Sequence, residues 1–133
     1  MSIHKIMIVD DSPTERHVLS DTLIKNGFDV IAVESGDVAV VRVRDIMPDL
    51  ILMDVVMPGL NGFQATRAIS RDPATKHIPI VICTTKGQDT DKFWGLRQGA
   101  KGYIVKPVKQ EELMRVITTL NGPNPELLET NLE

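Results

Sequence analysis

The stretch "LILMDVVMPGLNGF", Leu50 to Phe63, runs an apolar segment into a carboxylate at Asp54 and then turns through Met57-Pro58-Gly59. Four consecutive apolar residues read as a strand covered on both faces, the pattern of a parallel sheet. An Asp leaving such a strand loses hydration unless a cation meets it. The rest of the chain must supply that cation, or Asp54 is only a turn residue.

Working outward, four more short apolar runs appear: Ile3–Val9, Asp29–Val33, Ile78–Cys83 and Gly102–Val105. Longer amphipathic segments separate them. The first opens with Ser12 as N-cap, Pro13 at the first helical position and Glu15 three residues after the cap, a capping box. It stops at Asn26-Gly27. The last carries Leu113, Val116, Ile117 and Leu120, the i, i+3, i+4, i+7 stripe of a core-facing helix. The segment "GDVAVVRVRDIM" (Gly36–Met47) has a β-branched run that could pass for a strand, but its length and place in the alternation predict a helix. Five strand–helix units imply an α/β fold, a doubly wound (βα)5 open sheet with helices on both faces.

Composition sets the outer bounds. Hydrophobic residues at 42% and charged residues at 25% put disordered and membrane classes aside. Fifteen basic against eighteen acidic residues give a net charge of -3, which argues against a nucleic-acid partner. No apolar run approaches the roughly 20 residues of a membrane span. "MSIHKIMIVDD" lacks the features of a signal peptide, and Cys83 is the one cysteine, so a cytoplasmic location is expected. Residues 1–121 are expected to form one domain, followed by an acidic, flexible tail over 122–133 that breaks at Gly122-Pro123. Leu127, Leu128 and Leu132 stand among the tail's acids.

Right-handed crossovers put the C-terminal end of every strand on one edge. The residues just past each strand are therefore brought together: Asp10 and Asp11, then Asp54, then Thr84 and Thr85, then Lys106 and Pro107. With strand order 2-1-3-4-5, strands one and three meet at the switch point where such sheets bind ligands. Three carboxylates would share one crevice. Two unit charges about 4 Å apart repel by roughly 4 kcal/mol at an effective dielectric near 20. A hard divalent cation is the natural remedy, and an all-oxygen set suits Mg²⁺. Lys106 adds a second cation on a flexible stem, able to reach an anion over Asp54. Carboxylates form acyl phosphates, and phosphoryl transfer needs positioning and charge neutralisation. Lys106 and the Thr84 hydroxyl would each take a phosphoryl oxygen, contacts that exist only in the phosphorylated state and so define a switch.

At these residues the chain resembles the receiver domain of two-component response regulators, over about Ile3 to Leu120. The motifs are "IVDDS", "LILMDVVMPGLNG", "VICTT" and "GAKGYIVKPV". The resemblance implies a flavodoxin-like fold with a five-stranded parallel sheet in the order 2-1-3-4-5. It implies Asp54 as phosphoacceptor, and Asp10, Asp11, Asp54 and the Val56 backbone carbonyl as Mg²⁺ ligands. It further implies Thr84 as switch hydroxyl, Lys106 as phosphate-sensing amine, Tyr103 as rotating aromatic, and a cis peptide before Pro107. "SPTER", "VMPGLNGFQATR" and "TTKGQDTDKFWGLRQGAKGY" look closest to the PilH-like regulators of the type IV pilus (twitching motility) chemosensory system. No output region follows Leu120, which points to a stand-alone, chemotaxis-type regulator. Two departures from the family pattern touch the site: Thr85 where a small Ala is common, and Val56 and Lys86 at positions that are often polar or acidic.

Other residues have plainer readings. On a helix from about Asp89 to Gln98, Phe93 and Leu96 are expected to face the core, leaving Trp94 at the boundary as a candidate for partner contact. His4, His17 and His77 have no companions at ligand spacing and read as structural or solvated. The expected function is a binding switch: a chemotaxis-type histidine kinase phosphorylates Asp54, and an unknown protein target responds. A monomer is expected, with dimerisation on phosphorylation left open. Beyond its own phosphorylation and dephosphorylation no enzymatic activity is expected. The rival is a Mg²⁺-dependent phosphohydrolase with an Asp nucleophile. Such sites place an acid/base Asp two residues later, where this chain has Val56. A phosphate sink without an output target is a third reading within the switch class.

Overall fold

The computed structural model describes residues 2–121, and the tail expected over 122–133 lies outside them. Strands and helices alternate throughout: β1 (Lys5–Val9), α1 (Pro13–Lys25), β2 (Asp29–Val33), α2 (Gly36–Ile46), β3 (Leu50–Met53), α3 (Gly62–Arg71), β4 (Ile80–Thr84), α4 (Asp89–Arg97), β5 (Gly102–Val105) and α5 (Gln110–Leu120). All strand pairs are parallel and the sheet order is β2-β1-β3-β4-β5. This is the doubly wound (βα)5 architecture expected from the alternation.

Period-2 alternation divides the core. Ile6, Ile8, Leu50, Leu52, Val81, Cys83 and Ile104 face one side of the sheet, where Leu19 and Leu23 of α1 and Leu113 and Ile117 of α5 cover them. Met7, Val9, Ile51, Met53 and Ile80 face the other, against Ala39 and Val43 of α2 and Ala65 and Ile69 of α3. Burying a side chain of this size contributes about 1.5–3 kcal/mol relative to exposure. The segment with the β-branched run is indeed helical, because its Ala39 and Val43 stripe has a sheet face to cover.

Two strands start later than the apolar runs suggest. Ahead of β1, the amides of His4 and Lys5 both donate to the Asp49 carboxylate, and that of Ile3 donates to the Asn121 side chain. β4 begins after Pro79, which has no N–H to offer a neighbouring strand. The capping box on α1 is half made. Ser12 Oγ accepts from the Glu15 amide, but the Ser12 amide donates to Asp10 Oδ1 instead of to Glu15. Around α4 the expectation fails. Phe93 and Leu96 do not face the core; they are exposed together with Trp94, and Gly95 is the buried residue of that helix.

Candidate functional site

Each of Asp10, Asp54 and Lys106 sits one step past a strand, fixed there by a backbone bond to the neighbouring strand. The Asp10 amide donates to the Val33 carbonyl, that of Asp54 to Val9, and that of Lys106 to Thr84. Behind Asp54, Gly62 opens α3 so close to the strand end that a Cβ there would lie 2.0 Å from the Asp54 carbonyl oxygen. Only glycine allows the β3–α3 loop to fold back at that point. Asp37 of α2 braces the same loop by accepting the Leu60 amide at 3.2 Å.

Asp10, Asp11 and Asp54 thereby converge, with one carboxylate oxygen from each within 4.8 Å of the others. Asp10 and Asp54 are buried and Asp11 is exposed. The cation that Asp54 requires is present. Lys106 Nζ donates to Asp10 Oδ2 at 2.7 Å and to Asp54 Oδ2 at 3.4 Å, and Glu15 Oε2 lies 3.9 Å away. Burial alone would push the Lys106 ammonium down, but its bond to Asp10 and the charges of Asp54, Asp10 and Glu15 outweigh that and hold it above the usual lysine range. The second oxygen of Asp54 accepts from the Val55 amide at 2.7 Å. Hard oxygen donors converging from three carboxylates fit a hydrated divalent cation such as Mg²⁺.

Thr84 is fully buried at the end of β4, and its hydroxyl accepts a long bond from the Lys86 amide at 3.4 Å. Tyr103 is half-buried beneath α4 and donates its hydroxyl to the Lys86 carbonyl at 2.6 Å. Burial pushes this phenol up to about 12. One short loop thus touches both residues expected to act as switch. The peptide before Pro107 is cis. Val56 lies two residues past Asp54 and is exposed, and Trp94 is exposed beside Phe63 and Arg67 of α3.

The sequence profile of the response regulator receiver domain matches residues 6–118. The chain belongs to that family. Among relatives of this receiver, Protein PilH of Pseudomonas aeruginosa is 52% identical over 116 residues, covering 87% of this chain and 96% of PilH. Chemotaxis protein CheY of Bacillus subtilis is 38% identical over 120 residues, covering 89% and 98%. Among solved structures, the receiver domain of a Pseudomonas aeruginosa sensor histidine kinase superposes with a TM-score of 0.83 at 31% identity, over 92% of this chain and all of that one. That structure is described with a magnesium ion coordinated in its active-site cleft.

Two features of this receiver's crevice escaped the sequence reading. Glu15, assigned to a cap, reaches toward Lys106, and the Arg16 guanidinium donates to the Asp10 carbonyl at 2.8 Å. Their signal was the position of the first turn of α1, directly after the acidic pair. No helix among the described residues is long and apolar enough to cross a membrane.

Proposed function

We propose that this receiver accepts a phosphoryl group on Asp54 from a histidine kinase and thereby changes what the face of α4, β5 and α5 binds. The observation that carries the reading is the ammonium of Lys106 spanning Asp10 and Asp54, beside Asp11, at the switch point of the sheet. An Asp54 oxygen attacks the phosphorus of a phosphohistidine. The new O–P bond forms as the P–N bond breaks, and its electron pair leaves with the imidazole, which takes up a proton. Asp10, Asp11, Asp54 and the Val56 carbonyl would hold Mg²⁺, which when bound neutralises phosphoryl oxygens. Lys106 then exchanges a carboxylate partner for a phosphoryl oxygen. The Thr84 hydroxyl takes another, which releases the Lys86 amide and with it the loop that Tyr103 holds.

Catalysis in this reading is confined to the chain's own acyl phosphate, and residues 1–121 carry all of it in the cytoplasm. Identity of 52% to PilH supports a place in the type IV pilus chemosensory system. The test is labelling with a radioactive small phosphodonor and Mg²⁺. Slow, near-stoichiometric uptake is expected, abolished by Asp54→Ala and by chelation of the metal. Uptake that survives Asp54→Ala removes the proposal, and rapid multiple turnover of an ordinary phosphoester replaces it with a hydrolase.

A further inference from the structure

Helices α3 and α4 meet just past the end of α4, where a Cβ on Gly99 would lie 2.5 Å from Ser70 Oγ. On the N-terminal side of that contact a groove of about 230 Å³ separates them, lined by Phe63, Arg67, Trp94 and Gln98. Asn61 and Phe63 also line a second hollow, which continues to Val56, Met57, Lys86 and Asp91. The two form one trough, from the β3–α3 loop past the start of α4 to the flank of α3. It shares α4 with the face built from α4, β5 and α5 but takes its other wall from α3.

The chain as a whole carries a charge of -3, yet this trough is cationic. α3 contains two arginines, Arg67 and Arg71, and no acid. Spaced i, i+4, they share one face of the helix. Both are exposed, and neither they nor Arg97 of α4 join an ion pair among the described residues. The acid in the lining, Asp91, is already engaged. One carboxylate oxygen accepts from the Gln88 amide at 3.2 Å, and the other lies 3.9 Å from Lys86 Nζ. Tryptophan and arginine are the side chains most enriched at binding hot spots, and Trp94 and Arg67 line the same groove. Arginines also suit phosphates, but nucleic-acid binding draws on a basic surface that this acidic chain lacks. Apolar walls of Val56, Met57 and Phe63 suit the side chains of a peptide.

We propose that this trough binds an acidic segment of a partner protein that carries a large apolar anchor. The anchor packs against Phe63 and Trp94, and the carboxylates meet Arg67 and Arg71. The proposal does not rest on phosphoryl transfer to Asp54, and the two readings fail separately.

Trp94 is the chain's one tryptophan, so its emission reports on the groove directly. The probes are synthetic peptides with a leucine–phenylalanine core flanked by glutamates, and the same core flanked by lysines. With the unphosphorylated full chain, the expected result is a saturable blue shift of emission. The Kd should be about tenfold lower for the glutamate peptide than for the lysine peptide. Arg67→Glu is expected to reverse that preference while phosphoryl uptake at Asp54 stays at the native level. Arg115→Glu, on α5, is expected to leave the preference unchanged. No shift with either peptide, a preference that survives Arg67→Glu, or one lost in Arg115→Glu overturns the proposal. A preference lost together with phosphoryl uptake also overturns it, since the substitution then acts through the fold. So does a larger shift with a short oligothymidylate than with the glutamate peptide, because the trough then takes nucleic acid.

Discussion

Helices α4 and α5 flank β5 on opposite faces of the sheet, and they are attached in different ways. α5 inserts Leu113 and Ile117 into the core beneath it. α4 touches the sheet through Gly95, while Phe93, Trp94 and Leu96 are 59%, 53% and 54% exposed. A Cβ on Gly95 would lie 2.8 Å from Ile82 Cδ1 and 3.0 Å from the Tyr103 ring, so this helix rests on the sheet by its backbone. The lesson concerns which element can move. Shifting α5 would open the core, whereas α4 has little buried side chain to lose, and mobile elements are drawn from such weakly anchored parts. Its neighbours, Tyr103 and the loop at Lys86, are the groups that connect it to Thr84.

The largest test of this contrast is Leu113→Ala. Removing a fully buried leucine is expected to cost about 2–5 kcal/mol, read as a lower denaturant midpoint at unchanged slope. Phe93→Ala on α4, measured in the same way, is expected to change stability by less than about 0.5 kcal/mol. Comparable losses from both would erase the distinction.

The failure of periodicity at α4 has a physical cause. Hydrophobic periodicity assigns large apolar residues to the inside, and a helix seated on a glycine gives that rule nothing to detect. The strands were legible because continuous apolar runs have few other uses, and the convergence of Asp10, Asp11, Asp54 and Lys106 followed from strand order alone. The trimmed starts of β1 and β4 depended on Asp49, forty-five residues from His4, and on one missing proline N–H. The Ser12 amide turned from Glu15 to Asp10, which freed Glu15 to approach Lys106; no local pattern distinguishes those two acceptors.

A smaller effect is expected at Tyr103, the chain's one tyrosine. Its phenol is raised to about 12 by burial, then by Asp91 and Asp54, from an ordinary value near 10. The neutral form is therefore the one the native state favours. Its contribution to stability is complete below pH 10 and is lost as pH rises from about 10, where the unfolded chain ionises, toward 12. Absorbance titration of the native protein should give a phenolate midpoint near 12. Gly95→Ala forces the ring or the helix aside, with a net cost of about 1 kcal/mol once improved helix propensity is counted. It should also draw the midpoint back toward 10, whereas an unmoved midpoint would show that α4 does not govern the tyrosine's surroundings.

The smallest expected effect on stability, and the most telling for function, is that of Trp94→Ala. The indole meets Phe93 edge-on with ring centroids 6.3 Å apart, Arg97 lies 5.8 Å from the Phe93 ring centroid, and both aromatic residues are more than half exposed. A contact this exposed has no core to support, so unfolding followed by circular dichroism should shift by less than about 0.5 kcal/mol. A tryptophan that anchors a partner behaves otherwise, since its truncation costs about 2 kcal/mol or more in binding. Pull-downs with a beryllofluoride-type phosphoryl mimic separate the two roles. Loss of the phosphorylation-dependent partner with stability intact assigns α4's exposed aromatics to recognition. Loss of stability in step with binding would instead mean that these side chains brace the helix, and the contrast with α5 would then be one of degree.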